Sequence, residues 1–334
     1  MATIYEVSEV AGVSLATVSR VINDSGKVSE KTRQKVLAAV KELGYRPNTI
    51  AQSLASNRSN SVGVLVPELH GPFFGTMLSS IEEQLRKYSK HVIITAGHSN
   101  AEREREAIAF LLSRQCDALI LHVYAVSDEY VAKLAESGVR IALIGRDIPS
   151  LAHSCITIDN ELGEYLATRY LIGLGHTELA YIAGPLWKSD GQARMAGFRR
   201  ALAESGLAYR EERVAEGTYE ESSGQRAMRQ LLDRGVPFTA LVCANDEMAA
   251  GAIAVARNRG LQVPGELSVM GFDNVFFTRY MHPALSTVDY PIADMGRMAA
   301  RCVLREVYGI EGLDIRNRFE PQLVGRDSTV GRRS

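Results

Sequence analysis

Polar and aromatic residues follow several short apolar segments in the larger, C-terminal part of this 334-residue sequence. The set combines flat rings with cationic, carboxylate and amide groups: Phe73, Phe74, Trp187, Lys188, Asp190, Arg194, Tyr219, Asn245, Asp246, Asp273 and Asn274. Such groups suit a flat-faced ligand rich in hydroxyls, because a site built to bind hydroxyls rejects analogues that lack them. We therefore expect a sugar rather than a lipid or a peptide. Taken singly, each residue could instead be a helix cap, a turn residue or part of the core.

From residue 62 onward the apolar segments alternate with helical patterns, which predicts parallel strands in α/β units. The predicted strands are 62–66, 92–96, 118–121, 140–144, 156–159, 180–183, 240–243 and 267–270. The predicted helices include 77–88, 101–113, 192–205, 221–234 and 248–259. We expect two similar halves, each with a sheet covered on both faces. Ligands of such sheets bind beyond the carboxyl ends of the strands, where the polar and aromatic residues lie.

The N-terminal residues predict a helix-turn-helix. Thr3 and Glu6 form a capping box for a first helix that Gly12 ends. Ser14 caps a second helix that ends at about Asn23, and the short turn with a glycine is typical of the motif. A third helix is expected between residues 29 and 44, with apolar positions Val36, Leu37, Val40 and Leu43.

The second helix presents residues that suit DNA. In a helix-turn-helix this helix enters the major groove, and its N-terminal residues meet the base edges. Leu15 and Ala16 can contact a thymine methyl, and Arg20 can reach guanine acceptors or a phosphate. Thr17 and Ser19 can donate to phosphate oxygens, which fixes register rather than sequence. A three-helix bundle with no DNA role is the alternative.

Charge and motif content narrow the function classes. The whole chain has 38 basic and 39 acidic residues, but residues 1–60 hold eight basic and five acidic ones, so a basic head precedes an acidic body. The four cysteines match no zinc or redox spacing, and no nucleotide-binding, hydrolase or metal motif appears. We expect no metal, no cofactor and no enzyme activity. No signal segment or membrane span is predicted, so we expect a cytoplasmic protein with no membrane partner.

Two N-terminal segments, residues 11–23 and 44–54, resemble the headpiece and hinge of the lactose/galactose repressor (LacI/GalR) family. Similar segments cover essentially the whole chain: 72–74, 173–176, 245–252, 263–264, 271–273 and 283–288. Segments 104–108 and 116–119 most resemble the galactose-repressor branch. The resemblance implies an α/β protein with a three-helix headpiece, a hinge helix and two doubly wound α/β subdomains of periplasmic-binding-protein type.

The resemblance also implies how DNA is bound. Leu15 and Ala16 match the pair that reads sequence, and Leu54 of the hinge helix matches an apolar wedge in the minor groove. The hinge is too short to be a stable helix alone, so we expect it to order on DNA; a plain linker is the alternative. The full set of expected DNA-binding residues is Thr3, Tyr5, Ser14, Leu15, Ala16, Thr17, Ser19, Arg20, Asn23, Asn48, Ala51 and Leu54.

For the effector, the resemblance implies a second set of residues. Positions that contact effector in family members fall on Arg194, Tyr219, Asn245 and Asp273, and those that do so in some fall on Phe73 and Asp190. Phe74 and the more variable Arg146 complete the set. Lys188 replaces the arginine of purine-type members, which argues against a purine. Galactose or a related hexose or glucoside is expected, and we expect it to release the repressor from DNA.

The expected domains are 1–46, the headpiece; 47–61, the hinge helix and linker; and 62–334, the effector-binding and dimerisation core. Within the core, 62–160 with 290–320 and 161–289 with 321–330 form the two subdomains. The lactose repressor's leucine-heptad tail has no counterpart here, so a homodimer is expected, reading a pseudo-palindromic operator. A sugar-binding solute receptor without a DNA role and a regulator of co-repressor type are the alternatives.

Overall fold

The computed structural model describes residues 2–22, 26–45 and 58–332 of the chain. The chain divides into two compact units, residues 1–60 and 61–334. The hinge helix expected after residue 47 lies almost entirely in residues 46–57, outside the described part.

Three helices form the N-terminal unit: α1 (Ile4–Ala11), α2 (Leu15–Ile22) and α3 (Glu30–Glu42). The Thr3 hydroxyl accepts from the Glu6 amide and the Glu6 carboxylate accepts from the Thr3 amide, so the expected capping box is present. Gly12 ends α1 with φ of 62°, a left-handed conformation that side-chain-bearing residues avoid. Gly12, Val13 and Ser14 are the three residues between α1 and α2.

A small core closes this unit. Its buried members come from all three helices: Val7, Ala11, Val18, Val21, Val36 and Ala39. The expectation for α3 was partly wrong, because Leu37 is 45% exposed while Ala39 is buried. Val40 and Leu43 pack against the core from its edge. The buried face of α3 therefore centres on positions 36 and 39, three residues apart on one side of a helix.

The larger unit begins with a six-stranded parallel sheet in the order β11-β5-β4-β3-β1-β2. Its strands are β1 (Ser61–Val66), β2 (His91–Ala96), β3 (Ala118–Leu121), β4 (Ile141–Ile144), β5 (Cys155–Ile158) and β11 (Arg318–Phe319). Its helices are α4 (Pro72–Arg86), α5 (Ala101–Ser113), α6 (Asp128–Glu136) and α11 (Ile292–Tyr308). Successive residues of β1 point to opposite faces of the sheet. Val64 belongs to the same core cluster as Ile81 of α4, and Leu65 to the same cluster as Leu111 of α5, so helices cover both faces of the sheet.

A four-stranded parallel sheet follows in the order β7-β6-β8-β9. Its strands are β6 (Leu179–Ala183), β7 (Val214–Glu216), β8 (Ala240–Cys243) and β9 (Ser268–Met270). Its helices are α7 (Asn160–Gly173), α8 (Ser189–Glu204), α9 (Glu221–Asp233) and α10 (Asp246–Asn258), and they pack as the pairs α7/α8 and α9/α10. The antiparallel pair β10 (Thr287–Asp289) and β12 (Gln322–Val324) completes the unit.

The chain crosses between the two sheets three times, because α11 and β11 return to the six-stranded half and β12 joins the other half. In each parallel sheet the strand order reverses once, between β1 and β3 and between β6 and β8. Such reversal points leave a crevice at the carboxyl edge of the sheet. The predicted fold class, an α/β chain with N-terminal helices and two parallel-sheet halves, is confirmed.

Candidate functional site

A cavity of about 120 Å³ lies where the reversal points of the two sheets face each other. The six-stranded half contributes Pro67, Glu68, His70, Phe73, Phe74, Ser99 and Tyr124. The other half contributes Lys188, Asp190, Arg194, Thr218, Tyr219, Glu220, Asn245, Glu247 and Asp273, and Tyr290 follows β10. Both halves therefore supply the walls, as expected for a ligand that is held between them.

The structure brings together seven of the eight residues expected to contact an effector: Phe73, Phe74, Asp190, Arg194, Tyr219, Asn245 and Asp273. Arg146 is not among the residues that line the cavity. Its guanidinium donates to the carboxylate of Asp128, at 2.7 Å, and to the carbonyl of Val126, at 2.8 Å. In this conformation Arg146 therefore bonds within its own half of the core.

Arg194 lies at the floor of the cavity and is 3% exposed. Its Nε donates to Asn160 Oδ1 at 3.0 Å, and its Nη1 donates to the carbonyl of Ala244. Nη1 is 3.6 Å from Asp273 Oδ1, and the guanidinium lies over the ring of Phe272 at 3.8 Å from the centroid. Because guanidinium has five donors in a rigid fork, this fixed arrangement leaves donors for a ligand oxygen.

Asp273 is held in an unusual backbone conformation. Its φ is 113°, and its amide donates to the carbonyl of Val288 at 2.9 Å. Burial raises the pKa of the Asp273 carboxyl well above its usual value, against the opposing effect of Arg194. A non-glycine residue at such a φ persists only when its surroundings impose it, and such residues cluster at ligand sites.

Tyr219 has the same kind of strain, with φ of 71°. Its carbonyl accepts from Asn245 Nδ2 at 2.8 Å, while Asn245 Oδ1 caps α10 by accepting from the Met248 amide. A Cβ at Gly184, just after β6, would lie 2.3 Å from the Tyr219 ring, so only glycine allows this close approach. Asn245 is thus a helix cap, which was the structural alternative offered by the sequence, and it also holds the backbone of Tyr219 in place.

Aromatic rings form one wall of the cavity. Phe73 packs edge-on against Phe74, with centroids 5.3 Å apart, and against Tyr290, at 5.1 Å. Both phenylalanines come from the first turn of α4, directly after the loop that follows β1. Ring faces and edges give a sugar apolar surface for its C–H groups, while hydroxyls reach the polar groups opposite.

Several lining residues are absent from the expected set. Glu68 follows β1 and Tyr124 follows β3, so the strand-end rule that found Asn245 could have found both. Tyr290 and Thr218 follow strands of three residues, which are too short to give a periodic signal. Among the residues first singled out by sequence, Trp187 is 55% exposed and does not line the cavity.

The buried Asp246 carboxylate is hydrogen-bonded within the core and does not line the cavity. Its carboxylate accepts from the Thr287 hydroxyl at 2.6 Å and from the Val275 amide at 2.9 Å. Burial raises the pKa of Asp246 to about 7, although those two hydrogen bonds lower it. It ties the start of α10 to the β9–β10 region behind the cavity.

The N-terminal unit displays its predicted DNA-reading residues on the surface of α1 and α2. Thr3, Tyr5, Ser14, Ala16 and Arg20 are exposed, and Leu15, Thr17 and Ser19 are partly exposed. The Ser14 hydroxyl accepts from the Thr17 amide at 3.2 Å and lies 2.9 Å from the Thr17 hydroxyl, which fixes the start of α2. Asn23, Asn48, Ala51 and Leu54 lie outside the described residues.

The described ranges contain no group of three or more His, Cys, Asp or Glu side chains that could hold a metal ion. The four cysteines are free thiols, and three of them are buried. In the same ranges no helix has the length and apolar character that crossing a membrane requires.

Two family models match the chain. Residues 3–48 match the bacterial regulatory proteins of the lacI family, and residues 168–329 match the periplasmic binding protein-like domain. Both matches agree with the two units of the structure.

Curated relatives match along the full length. The HTH-type transcriptional regulator GalR of Escherichia coli K12 is 42% identical over 328 residues, which cover 98% of this chain and 96% of GalR. The HTH-type transcriptional regulator GalS of Salmonella typhimurium LT2 is 39% identical over 334 residues, covering 100% and 98%.

Solved structures agree in fold. A lac repressor dimer bound to operator and the anti-inducer ONPF has a TM-score of 0.87 at 30% identity, covering 98% of this chain and 99% of the other. A complex of the transcriptional regulator CelR with cellobiose has a TM-score of 0.71 at 31% identity, covering 98% and 100%. The chain therefore belongs to the LacI family of bacterial regulatory proteins.

Proposed function

We propose that this protein is a dimeric transcription repressor that a small neutral sugar, galactose or a related hexose or glucoside, releases from a pseudo-palindromic operator. The observation that carries the proposal is the cleft: buried Arg194 and Asp273 oppose the rings of Phe73 and Tyr290. The cavity of about 120 Å³ is large enough for a small organic ligand rather than a single water.

DNA binding is assigned to the exposed face of α1 and α2 together with the hinge. Leu15 and Ala16 read base edges, while Thr17, Ser19 and Arg20 hold phosphates or guanine. Asn48, Ala51 and Leu54 act in the hinge, where Leu54 wedges a base step open. The relatives GalR and GalS are named as HTH-type transcriptional regulators, and the operator-bound lac repressor dimer supports a two-fold arrangement.

The ligand regulates DNA binding by differential affinity. Sugar between the two halves of the core favours one arrangement of those halves, and the dimer's DNA affinity follows by linkage. The protein acts where the bacterial chromosome lies, in the cytoplasm, and converts no substrate. CelR is described with cellobiose, which supports a sugar in this kind of cleft.

The test begins with an operator selected from a randomised DNA pool by the full-length protein. Fluorescence anisotropy then follows operator release during titration with D-galactose, D-glucose, cellobiose and hexose phosphates. We expect a neutral sugar to weaken operator binding at least tenfold. Selection of no sequence would favour the solute-receptor alternative, and tighter binding with every sugar would favour a co-repressor.

A further inference from the structure

A hydrogen-bond chain crosses the cleft between the two halves of the core. His122 and Tyr124 follow β3 in the six-stranded half, and Asp190 lies in the first turn of α8 in the other half. His122 Nε2 lies 3.0 Å from the Tyr124 hydroxyl oxygen, and that hydroxyl donates to Asp190 Oδ2 at 2.9 Å. The Tyr124 hydroxyl thus links the segment after β3 in one half to helix α8 in the other half.

The single hydroxyl hydrogen of Tyr124 decides which atom donates in each of the two hydrogen bonds. A tyrosine hydroxyl has one hydrogen, and here it goes to Asp190. His122 must therefore donate from Nε2, which leaves its Nδ1 as a lone pair. Nδ1 is buried and has no hydrogen-bond partner among residues 2–22, 26–45 and 58–332, as this tautomer requires. Burial also lowers the pKa of His122 to about 4, so the ring is neutral near pH 7.

Asp190 borders two depressions in the surface of the core. It lines the ligand cavity, and it also lines a second depression that Gly145, Asn160 and Arg318 border. One carboxylate oxygen accepts from the Gly191 amide of its own helix at 2.7 Å, and the other accepts from the hydroxyl of Tyr124 across the cleft. The ring of Tyr124 also lies 4.2 Å from the Lys188 ammonium.

We propose that Tyr124 is a positioning residue of the ligand site: its hydroxyl, oriented by His122, ties the two halves of the core together and keeps the Asp190 carboxylate at the ligand cavity. The inference rests on the proposed function only in taking a sugar as the ligand. It adds a contact made by the protein itself across the cleft.

A tie of this kind stabilises the arrangement that binds ligand. Its loss lets the two halves of the core separate more readily around a bound ligand, which weakens the affinity for that ligand. A hydrogen bond to a charged acceptor corresponds to roughly a tenfold to hundredfold change in an equilibrium constant. Because the tie closes the site behind the ligand, we expect most of the loss as faster dissociation.

The test compares Tyr124→Phe with Tyr130→Phe in the full-length protein. Tyr124→Phe removes the hydroxyl and keeps the ring beneath Lys188, whereas Tyr130 lies on α6 and does not line the cavity. Hydrogen exchange of the sugar-free proteins is measured first. We expect faster exchange in residues 122–126 and 186–194 of Tyr124→Phe alone, with exchange in the other segments close to wild type.

Stopped-flow binding of D-galactose then gives association and dissociation rates. Tyr124→Phe is expected to dissociate roughly tenfold faster or more, with association nearly unchanged. In the Asp190→Ala background the same substitution should change neither rate, because its partner is gone. Unchanged exchange in both segments, or an equal effect with and without Asp190, would overturn the inference.

The sugar-free exchange experiment separates two failures. If D-galactose does not bind the wild type but exchange changes as expected, the sugar assignment fails and the positioning role holds. If the sugar binds and exchange is unchanged, the positioning role is wrong.

Discussion

The headpiece and the ligand cleft place their functional residues in opposite environments. In the headpiece Tyr5 is 66% exposed, and the proposed DNA-reading face of α2 is fixed at its start by the contact between Ser14 and Thr17. In the cleft Arg194 and Asp273 are more than nine-tenths buried, and strained backbone at Tyr219 and Asp273 aims their side chains. The headpiece side chains are exposed on the surface of the helices, whereas the cleft side chains are held in place by the residues that bury them.

The difference follows from the size of the partner. DNA covers a large surface, supplies its own charge and desolvates the contact on arrival, so exposed side chains on a rigid helix suffice. A sugar has few atoms, so the protein must surround it and prearrange the donors. Substitutions in the cleft should therefore alter ligand response without altering DNA choice, and substitutions in the headpiece should do the reverse.

Replacing Arg194 tests this separation with the largest expected effect. Arg194→Met leaves Asp273 buried without its cation and removes the fixed fork, so sugar affinity should fall more than about a hundredfold. Calorimetry with D-galactose measures it, and operator affinity without sugar should match wild type. Arg199→Met, on the exposed side of the same helix, is the control. Normal release by sugar in Arg194→Met would remove this residue from the site.

Replacing the reading pair tests the other side of the comparison. Leu15→Asn with Ala16→Gln substitutes amides that pair with adenine for groups that contact a thymine methyl. The preferred half-site should change, by about 1–3 kcal/mol for each altered base pair. Selection from a randomised DNA pool measures the preference, with Val10→Ala on α1 as control. An unchanged preference, or a changed sugar affinity, would contradict the assignment.

The comparison also predicts that a buried carboxyl in the core makes stability depend on pH. Glu164 tests this prediction. This α7 carboxyl is fully buried, with no hydrogen-bond partner for either oxygen within the described ranges. Burial raises its pKa from 4.5 to about 8. Because the folded value is the higher one, the stability it contributes below pH 4.5 is lost as pH rises through 8.

Glu164→Gln removes that loss. Its unfolding midpoint relative to wild type should therefore rise between pH 5 and pH 9, by roughly a few degrees. Differential scanning calorimetry at several pH values measures the difference, with Glu212→Gln, an exposed substitution, as the control. A difference that is constant with pH would show that the pKa of Glu164 in the folded core is not raised above its unfolded value.

The smallest expected effect is local to the headpiece. Thr3→Ala removes the hydroxyl that caps α1, which should destabilise that unit by about 1 kcal/mol. Amide exchange of residues 4–11 should rise, while exchange in the core and affinity for D-galactose stay unchanged. Ser79→Ala, an exposed hydroxyl in α4, serves as the control. Faster exchange in the core after Thr3→Ala would show that the two units do not unfold separately.

Local signals made most of the fold predictable. Capping at Thr3 and Ser29, the glycine at position 12 and continuous apolar strands such as 118–121 depend only on neighbouring residues. The short strands β7, β10 and β12 have too few residues for a period, and they pair through distant chain segments. The error at Leu37 arose because helical spacing alone did not decide which side of α3 faces α1 and α2.

The site divides in the same way. The strand-end rule gave Arg194, Asn245 and Asp273, and the resemblance implied the same three residues. Neither could give the hydrogen bond from Tyr124 to Asp190, because its two residues lie 66 positions apart on different sheets. Arg146, which the resemblance placed in the effector set, does not line the cavity, because its guanidinium donates to Asp128 and Val126 within its own half of the core.

We infer that sugar in the cleft weakens operator binding by the headpiece. The most direct measurement is operator affinity by fluorescence anisotropy across a D-galactose titration, in wild type and in Arg194→Met. Operator binding should be roughly tenfold weaker or more at saturating sugar in the wild type and unchanged in the variant. Equal operator affinity with and without sugar in a wild-type protein that binds the sugar would contradict it.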